Sequence, residues 1–222
     1  REIVQQEFKK KSKTFKPIKL PECAPVNELI AAGAHEIDKD LARIYSFIQQ
    51  RGFNVDDYNW QWSPDTTNGM NKRVIIPYTW QGKTIGYTAR STIDGSKLKY
   101  FNQVDSDYVF NTDAQTREKE FVIVTEGPLD AIAVGGVAVL TNEVSESKAE
   151  IIESLGKHVI VVPDRDKSGQ KLIDAALQYG WSVSFPLWQN SIKDCAEAHK
   201  QYGKLYTLRS ILQDVESSDL KI

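Results

Sequence analysis

Soft metal ligands are scarce in this chain. Its 222 residues hold two cysteines, Cys23 and Cys195, and three histidines, His35, His158 and His199. Two cysteines cannot make a disulfide framework or a four-cysteine zinc ribbon, and the histidines share no ligand spacing with them, so no zinc is expected. Long apolar runs are absent too. The longest, Ala131–Leu140, is half of what a membrane span needs and contains two glycines, and no signal peptide is visible. No membrane partner is therefore expected, and a reducing cytoplasm is the expected location. There is no GxxxxGK[ST] phosphate loop, no GxSxG nucleophile elbow and no internal repeat. Asp164–Gly169 starts like an EF-hand loop, but its twelfth position is Ala175 where a bidentate Glu is needed, which excludes that calcium site.

What is present describes an ordinary globular protein, 41% hydrophobic and 26% charged, large enough for one sizeable domain or two small ones. The net charge of −2 hides an asymmetry. Residues 1–20 hold seven Lys/Arg against two Glu, and residues 72–99 hold six Lys/Arg against one Asp, while the acids gather later. Such a division suits a protein that grips phosphates with one surface and a metal with another.

Residues 1–34, basic and then proline-containing, predict a linker or tether. Residues 35–118 predict a small basic α+β subdomain. Ile37, Leu41, Ile44, Phe47 and Ile48 have helical spacing before Gly52, and Phe53–Trp62 alternates as a strand. A hairpin of Arg73–Trp80 and Thr84–Arg90 follows, with a third strand at Leu98–Phe101. Arg73, Arg90, Lys97 and Lys99 are expected on the polar face of that antiparallel sheet. Interleaved aromatics such as Tyr100 suit single-stranded nucleic acid, although most of the rings are expected in the core.

Residues 119–203 alternate strand and helix: strands at Phe121–Thr125, Val137–Leu140, Val159–Val162 and Val183–Phe185, and helices at Leu129–Val134, Ser145–Leu155, Ser168–Tyr179 and about Ile192–Tyr202. Continuous β-branched runs read as strands of a mostly parallel sheet buried on both faces by helices. Residues 204–222 predict a C-terminal helix and a polar tail. Glu126 and Asp130 follow the first strand, and Asp164 and Asp166 follow a strand 38 residues on. Read alone, these could be first-turn acids that favour a helix N-terminus, or a plain turn. Gathered on the carboxyl edge of one sheet, they would repel each other unless a hard cation such as Mg²⁺ or Mn²⁺ held them.

The pair Glu126-Gly-Pro-Leu-Asp130-Ala131 and Asp164-Arg-Asp166-Lys-Ser-Gly169 resembles the Toprim domain shared by bacterial-type primases, topoisomerases and some nucleases. The segments Ile44–Gly52, Arg73–Pro77 with Gly82, Ile85-Gly86-Tyr87 and Arg90, then Lys99-Tyr100-Phe101-Asn102, and finally Lys193-Asp194-Cys195-Ala196-Glu197 resemble bacterial and bacteriophage-type DNA primases, in that family's order over residues 41–200. The resemblance implies the RNA polymerase core of a DNA primase: an α/β Toprim domain after a smaller α+β subdomain, making short RNA primers on single-stranded DNA from ribonucleoside triphosphates in a bacterial or phage-infected cell. It implies Glu126, Asp130, Asp164 and Asp166 as catalytic acids. Glu126, Asp164, Asp166 and Asp194 would hold Mg²⁺ or Mn²⁺, and Arg73, Arg90, Lys97, Lys99, Tyr100, Asn102 and Lys193 would contact nucleotide or DNA.

Two departures stand out. The family's zinc ribbon is missing, as is any helicase or helicase-binding domain, and the first residue is Arg. A core cut from a longer primase is the expectation, meeting a replicative helicase through parts not present. Two rivals use the same acids differently: a Toprim nuclease or topoisomerase fragment, and a non-catalytic DNA-binding module.

Overall fold

The computed structural model describes residues 13–141, 143–218 and 221. It contains two five-stranded sheets. The first unit runs β1 (Ala24–Pro25), α1 (Val26–Ala31), α2 (Lys39–Gln50), β2 (Gln61–Trp62), β3 (Arg73–Trp80), β4 (Lys83–Ser91) and β5 (Tyr100–Gln103). Its strands pair antiparallel in the order β1-β2-β3-β4-β5. The second unit runs β6 (Phe121–Thr125), α3 (Pro128–Val134), β7 (Val137–Ala138), α4 (Glu146–Glu153), β8 (His158–Val161), α5 (Gly169–Tyr179), β9 (Ser182–Ser184), α6 (Cys195–Tyr202), α7 (Lys204–Gln213) and β10 (Val215–Glu216). Its order is β10-β9-β8-β6-β7, parallel except for the β10 edge.

Local chemistry explains the elements. Asp38 caps α2 by accepting from the amides of Asp40 and Leu41, at 2.8 and 3.0 Å, and Leu41, Ile44 and Ile48 form its buried stripe. The helix stops at Gly52, whose φ is +83°. A Cβ there would sit 2.8 Å from the Lys200 Cα, so only glycine lets α2 dock on α6. Gln81 and Gly82, both at positive φ, make a two-residue turn between β3 and β4. Both turn amides donate to the Asp113 carboxylate, at 2.8 and 3.0 Å.

Alternation along β6 and β8 divides the core. Ile123 and Ile160 face α3, α6 and the antiparallel sheet, in one cluster with Ile44, Ile76 and Phe110. Val122, Val124, Val159 and Val161 face α4 and α5. Each buried Val or Ile contributes about 1.5–3 kcal/mol, and the first cluster welds the two sheets into one body. The expected mixed α/β fold, with helices on both faces of a mostly parallel sheet, is what the structure shows.

Several boundaries differ from the sequence expectations. Of the supposed tether 1–34, residues 1–12 lie outside the described residues, and the rest packs. Phe15 meets the rings of Trp80 and Tyr108 edge-on, Lys13 pairs with Asp107 at 2.7 Å, Ala24–Pro25 adds a strand, and Val26 is fully buried. Pro25 ends the pairing of the edge strand β1 and does not mark a free linker. Only Gln61 and Trp62 of the expected Phe53–Trp62 strand pair. Before them Asp57 accepts from the Asn54 amide at 2.7 Å, closing a turn. The third strand begins at Tyr100 instead of Leu98. The expected polar tail returns as β10, pairing with β9.

Candidate active site

A cavity of 330 Å³ opens where the two sheets meet. Its acidic wall is Glu126, Asp130, Asp164 and Asp194, and its opposite wall includes Lys99, Tyr100 and Asn102. Glu126 leaves the end of β6, and Asp164 and Asp166 follow β8. Parallel register aligns the ends of these strands (Val124 opposite Val161), which brings together acids 38 residues apart in the chain. Gly169 makes the turn compact, because a Cβ there would lie 2.1 Å from the Asp164 carbonyl oxygen.

The acids strain against one another. Burial pushes the Asp164 carboxyl up to about 8, helped by the charges of Glu126, Asp194, Asp166 and Glu197. Burial also raises Glu126, and its Oε1 is buried without a partner. Asp166 moves the other way, because the Ser168 hydroxyl and amide donate to it at 2.5 and 2.7 Å. Asp194 caps α6, accepting from the Glu197 amide at 2.7 Å. Asp130 is the most enclosed. It accepts from the Ala196 amide at 2.9 Å, and burial followed by the charges of Asp194 and Asp164 raises its carboxyl well above the usual range. Burial raises the Asp194 carboxyl as well.

Lys99 is the cation on the facing wall; Arg90 and Arg51 lie behind it and do not line the cavity. Arg90 is 5% exposed, its guanidinium carbon 4.4 Å from the Tyr100 ring centroid, and its Nε and Nη1 are buried without partners. Arg90 depresses the Lys99 ammonium, with burial and Arg51 adding to the effect. Among the described residues none of these three cations forms an ion pair, and cations gathered in this way favour an anion. The Thr88 hydroxyl donates to the Oδ1 of Asn102. Lys193 is close enough to Asp166 to lower it further, while Lys97 is exposed on the turn before β5 and does not line the cavity.

Arg73 does not share this face. Thr79 opposes Thr84 but Tyr78 opposes Gly86, so Ile85 is a bulge, and beyond it Arg90 faces Val74 while Arg73 faces Ser91. The extra residue turns Arg73 to the far side, away from Arg90. There it is 6% exposed and donates to the carbonyls of Ala89 at 3.1 Å, Leu98 at 3.0 Å and Asn68 at 3.4 Å. Sequence reasoning also missed groups that reach the site. Arg51 acts on Arg90, Lys99 and Asp194, Glu197 acts on Asp164, and Thr88 lines the cavity. Arg51 and Glu197 lie inside segments that had drawn notice for other residues.

Among the described residues no three carboxylate, imidazole or thiol groups converge closely enough to enclose a metal ion by themselves. The donor set nevertheless fits a hard cation. An unpartnered buried carboxylate oxygen on Glu126 and mutually raised carboxyls are relieved by positive charge, and Mg²⁺ takes only one or two carboxylates and fills its shell with water and phosphate.

No family model matches the chain. Solved structures do. The RNA polymerase domain of Mycobacterium tuberculosis primase DnaG superposes with a TM-score of 0.66 over 86% of this chain and 84% of that one, at 16% identity. The Escherichia coli primase catalytic core gives 0.63 over 82% and 78%, at 17% identity. The fold is that of the DnaG primase catalytic core. A DnaG catalytic domain bound to single-stranded DNA gives 0.63 over 85% and 78%, at 16% identity. In sequence the chain is similar to the DNA primase of Mycoplasma genitalium, 24% identical over 181 residues. That match covers 72% of this chain and 29% of the relative, so the chain spans less than a third of that protein. Within this DnaG-like core, the cavity lies between the parallel sheet's acidic edge and β5.

Proposed function

We propose that this chain is the RNA polymerase core of a DNA primase, joining ribonucleotides on a single-stranded DNA template during replication. The observation that carries this reading is the single cavity walled by Glu126, Asp130, Asp164 and Asp194 on one side and by Lys99, Tyr100 and Asn102 on the other. Nucleotidyl transfer needs this pairing of a cation-holding edge and a phosphate-holding edge. Glu126, Asp164, Asp166 and Asp194 would hold Mg²⁺ or Mn²⁺. The ion, when bound, supplies positive charge that acidifies a hydroxyl and neutralises phosphate oxygens.

The chain's own groups supply the rest. Oε1 of Glu126, buried and unpaired, accepts the proton of the primer 3′-hydroxyl. Lys99, on the cavity wall, holds the triphosphate, with Arg90 and Arg51 behind it adding positive potential. Tyr100 and Asn102 border the nucleotide, while Lys97 and Lys193 meet template or primer backbone outside the cavity. Asp130, buried and accepting from the Ala196 amide, ties α3 to the start of α6 and so positions Asp194. A replicative helicase would be met through other segments of a longer protein.

The test is ribonucleotide incorporation on single-stranded DNA carrying an annealed RNA primer, with Mg²⁺ or Mn²⁺. Extension by the parent, lost in Glu126→Gln and Asp164→Asn, supports the reading. Loss of the DNA strand instead would establish a nuclease, and no change to either strand a binding module.

A further inference from the structure

Arg165 stands between the two aspartates of the Asp164-Arg165-Asp166 turn, where a cation would be expected to neutralise them. It does not. No ion pair among the described residues involves it. Its guanidinium turns away, toward the loop 186–192. Nη1 donates to the carbonyls of Trp188 at 3.1 Å, Gln189 at 3.2 Å and Ile192 at 3.4 Å, and Nη2 donates to that of Pro186. The guanidinium carbon lies 5.5 Å from the Trp188 ring centroid. Its amide donates to the Lys193 carbonyl at 2.8 Å.

The loop held in this way leads straight into Asp194, the cap of α6. Other contacts hold the loop as well: the Trp188 amide donates to Pro186 at 2.8 Å, the Ile192 amide to Gln189 at 2.9 Å, the Trp188 indole to Ser210 at 2.7 Å, the Leu187 amide to Asp214 at 3.1 Å and the Gln189 amide to the Tyr202 hydroxyl at 3.3 Å. None of these ties it to the Asp164–Asp166 turn, which the Arg165 side chain does. Four converging carbonyls repel one another unless a donor fills the space between them. Nη1, its two hydrogens shared among three carbonyls, and Nη2, on the fourth, span a width that the single nitrogen of an ammonium does not. Because its charge is spent on carbonyls, Arg165 does not compete with a cation for either neighbouring carboxylate.

We propose that Arg165 is a positioning residue that fixes the spacing between the Asp164–Asp166 turn and Asp194, so that acids from two separate segments can address one divalent ion. The inference rests on the metal-site reading above. It is distinct from two simpler roles: compensation of acidic charge, and a stitch that only stabilises the fold.

The experiment is direct Mn²⁺ binding, followed by the electron paramagnetic resonance signal of free Mn²⁺, on the parent, Arg165→Ala, Arg165→Lys and Asp164→Asn, with a thermal melt of each. Outer partners of metal ligands characteristically control 10–100-fold in affinity. Arg165→Ala and Arg165→Lys are therefore each expected to weaken Mn²⁺ binding by about tenfold to a hundredfold while remaining folded. If Arg165→Lys keeps the parental affinity, charge is what matters and the positioning role is wrong. A lower Tm with unchanged Mn²⁺ affinity reduces Arg165 to a structural stitch. Parental binding that survives Asp164→Asn, or no binding by the parent at all, overturns the metal site and this proposal with it. Should Arg165→Ala fail to fold, Arg165→Lys decides alone, because it keeps the charge and the apolar stem.

Discussion

The guanidinium of Arg90 lies over the ring of Tyr100, 4.4 Å from its centroid, with two of its nitrogens buried and unpartnered. The ring fixes the cation just behind the cavity wall, so its charge acts on a ligand through Lys99 and Tyr100, which line the cavity. A buried cation beside Lys99 and Arg51 also works against folding, since burial and Arg51 both depress it. Arg90→Met should therefore raise KM for nucleotide by about tenfold, the equivalent of about 1.4 kcal/mol of charge interaction, while leaving Tm unchanged or higher. Steady-state kinetics and a thermal melt on the same preparation check both. A fall in Tm that accounts for all the lost activity would remove Arg90 from the site.

Asp164 predicts the pH dependence of the metal-free protein. Its folded carboxyl titrates near 8, against 3.8 when free of the fold. A raised folded pKa gives stability that is complete below about 3.8 and is lost as pH rises toward 8, because the folded state holds the proton longer than the unfolded state. In EDTA, urea unfolding should show stability falling between pH 5 and pH 8, with Asp164 contributing at most about 1.4 kcal/mol per pH unit. Asp164→Asn should flatten this slope and be more stable than the parent at pH 8. The remaining slope belongs to Glu126, Asp130 and Asp194, which are raised as well. Adding Mg²⁺ to the parent at pH 8 should restore stability, and should do much less for the variant.

The acidic half of the site was legible because parallel strands buried on both faces write continuous apolar runs, and their carboxyl ends are where ligands collect. Phe121–Thr125 and His158–Val161 announce both their position and the acids after them. The basic half was only half legible. A plain two-residue hairpin sets Arg73 opposite Arg90, and the bulge at Ile85 that moves them to opposite faces is signalled locally only by Gly86, a glycine inside a strand. The strand Ala24–Pro25 was hidden for a different reason: two residues carry no periodicity, and their pairing with Gln61 and Trp62 is purely tertiary.

The bulge yields its own prediction. Arg73, donating to three carbonyls on the far face, holds β3, β4 and the segment before β5 together. Arg73→Met should cost about 2–4 kcal/mol, since buried carbonyls lose their donors, yet leave KM for nucleotide unchanged in the protein that remains folded. Chemical denaturation paired with kinetics well below Tm separates the two. A large KM change would return Arg73 to the binding surface.

Gly169 tests how tightly the acidic turn is built. Its φ is ordinary, so a side chain there meets no backbone strain, only the Asp164 carbonyl oxygen at 2.1 Å from the ideal Cβ position. That obstacle is main chain and cannot rotate aside, so Gly169→Ala has to displace either α5 or the Asp164 turn. If α5 gives way, the cost appears as stability, about 1–3 kcal/mol for an overpacked site, and Mn²⁺ affinity survives. If the turn gives way, Asp164 moves relative to Glu126 and Asp194, and metal affinity falls with little change in Tm. The Lys193 carbonyl bonded to the Arg165 amide braces the turn from one side, while α5 is anchored by Leu172 and Ala176 in the core. The helix buries more than the turn does, so the turn is expected to yield. Gly169→Ala should then lose about tenfold or more in Mn²⁺ affinity while its melting temperature falls by only a few degrees, and parental affinity in a strongly destabilised variant would show that α5 moves instead.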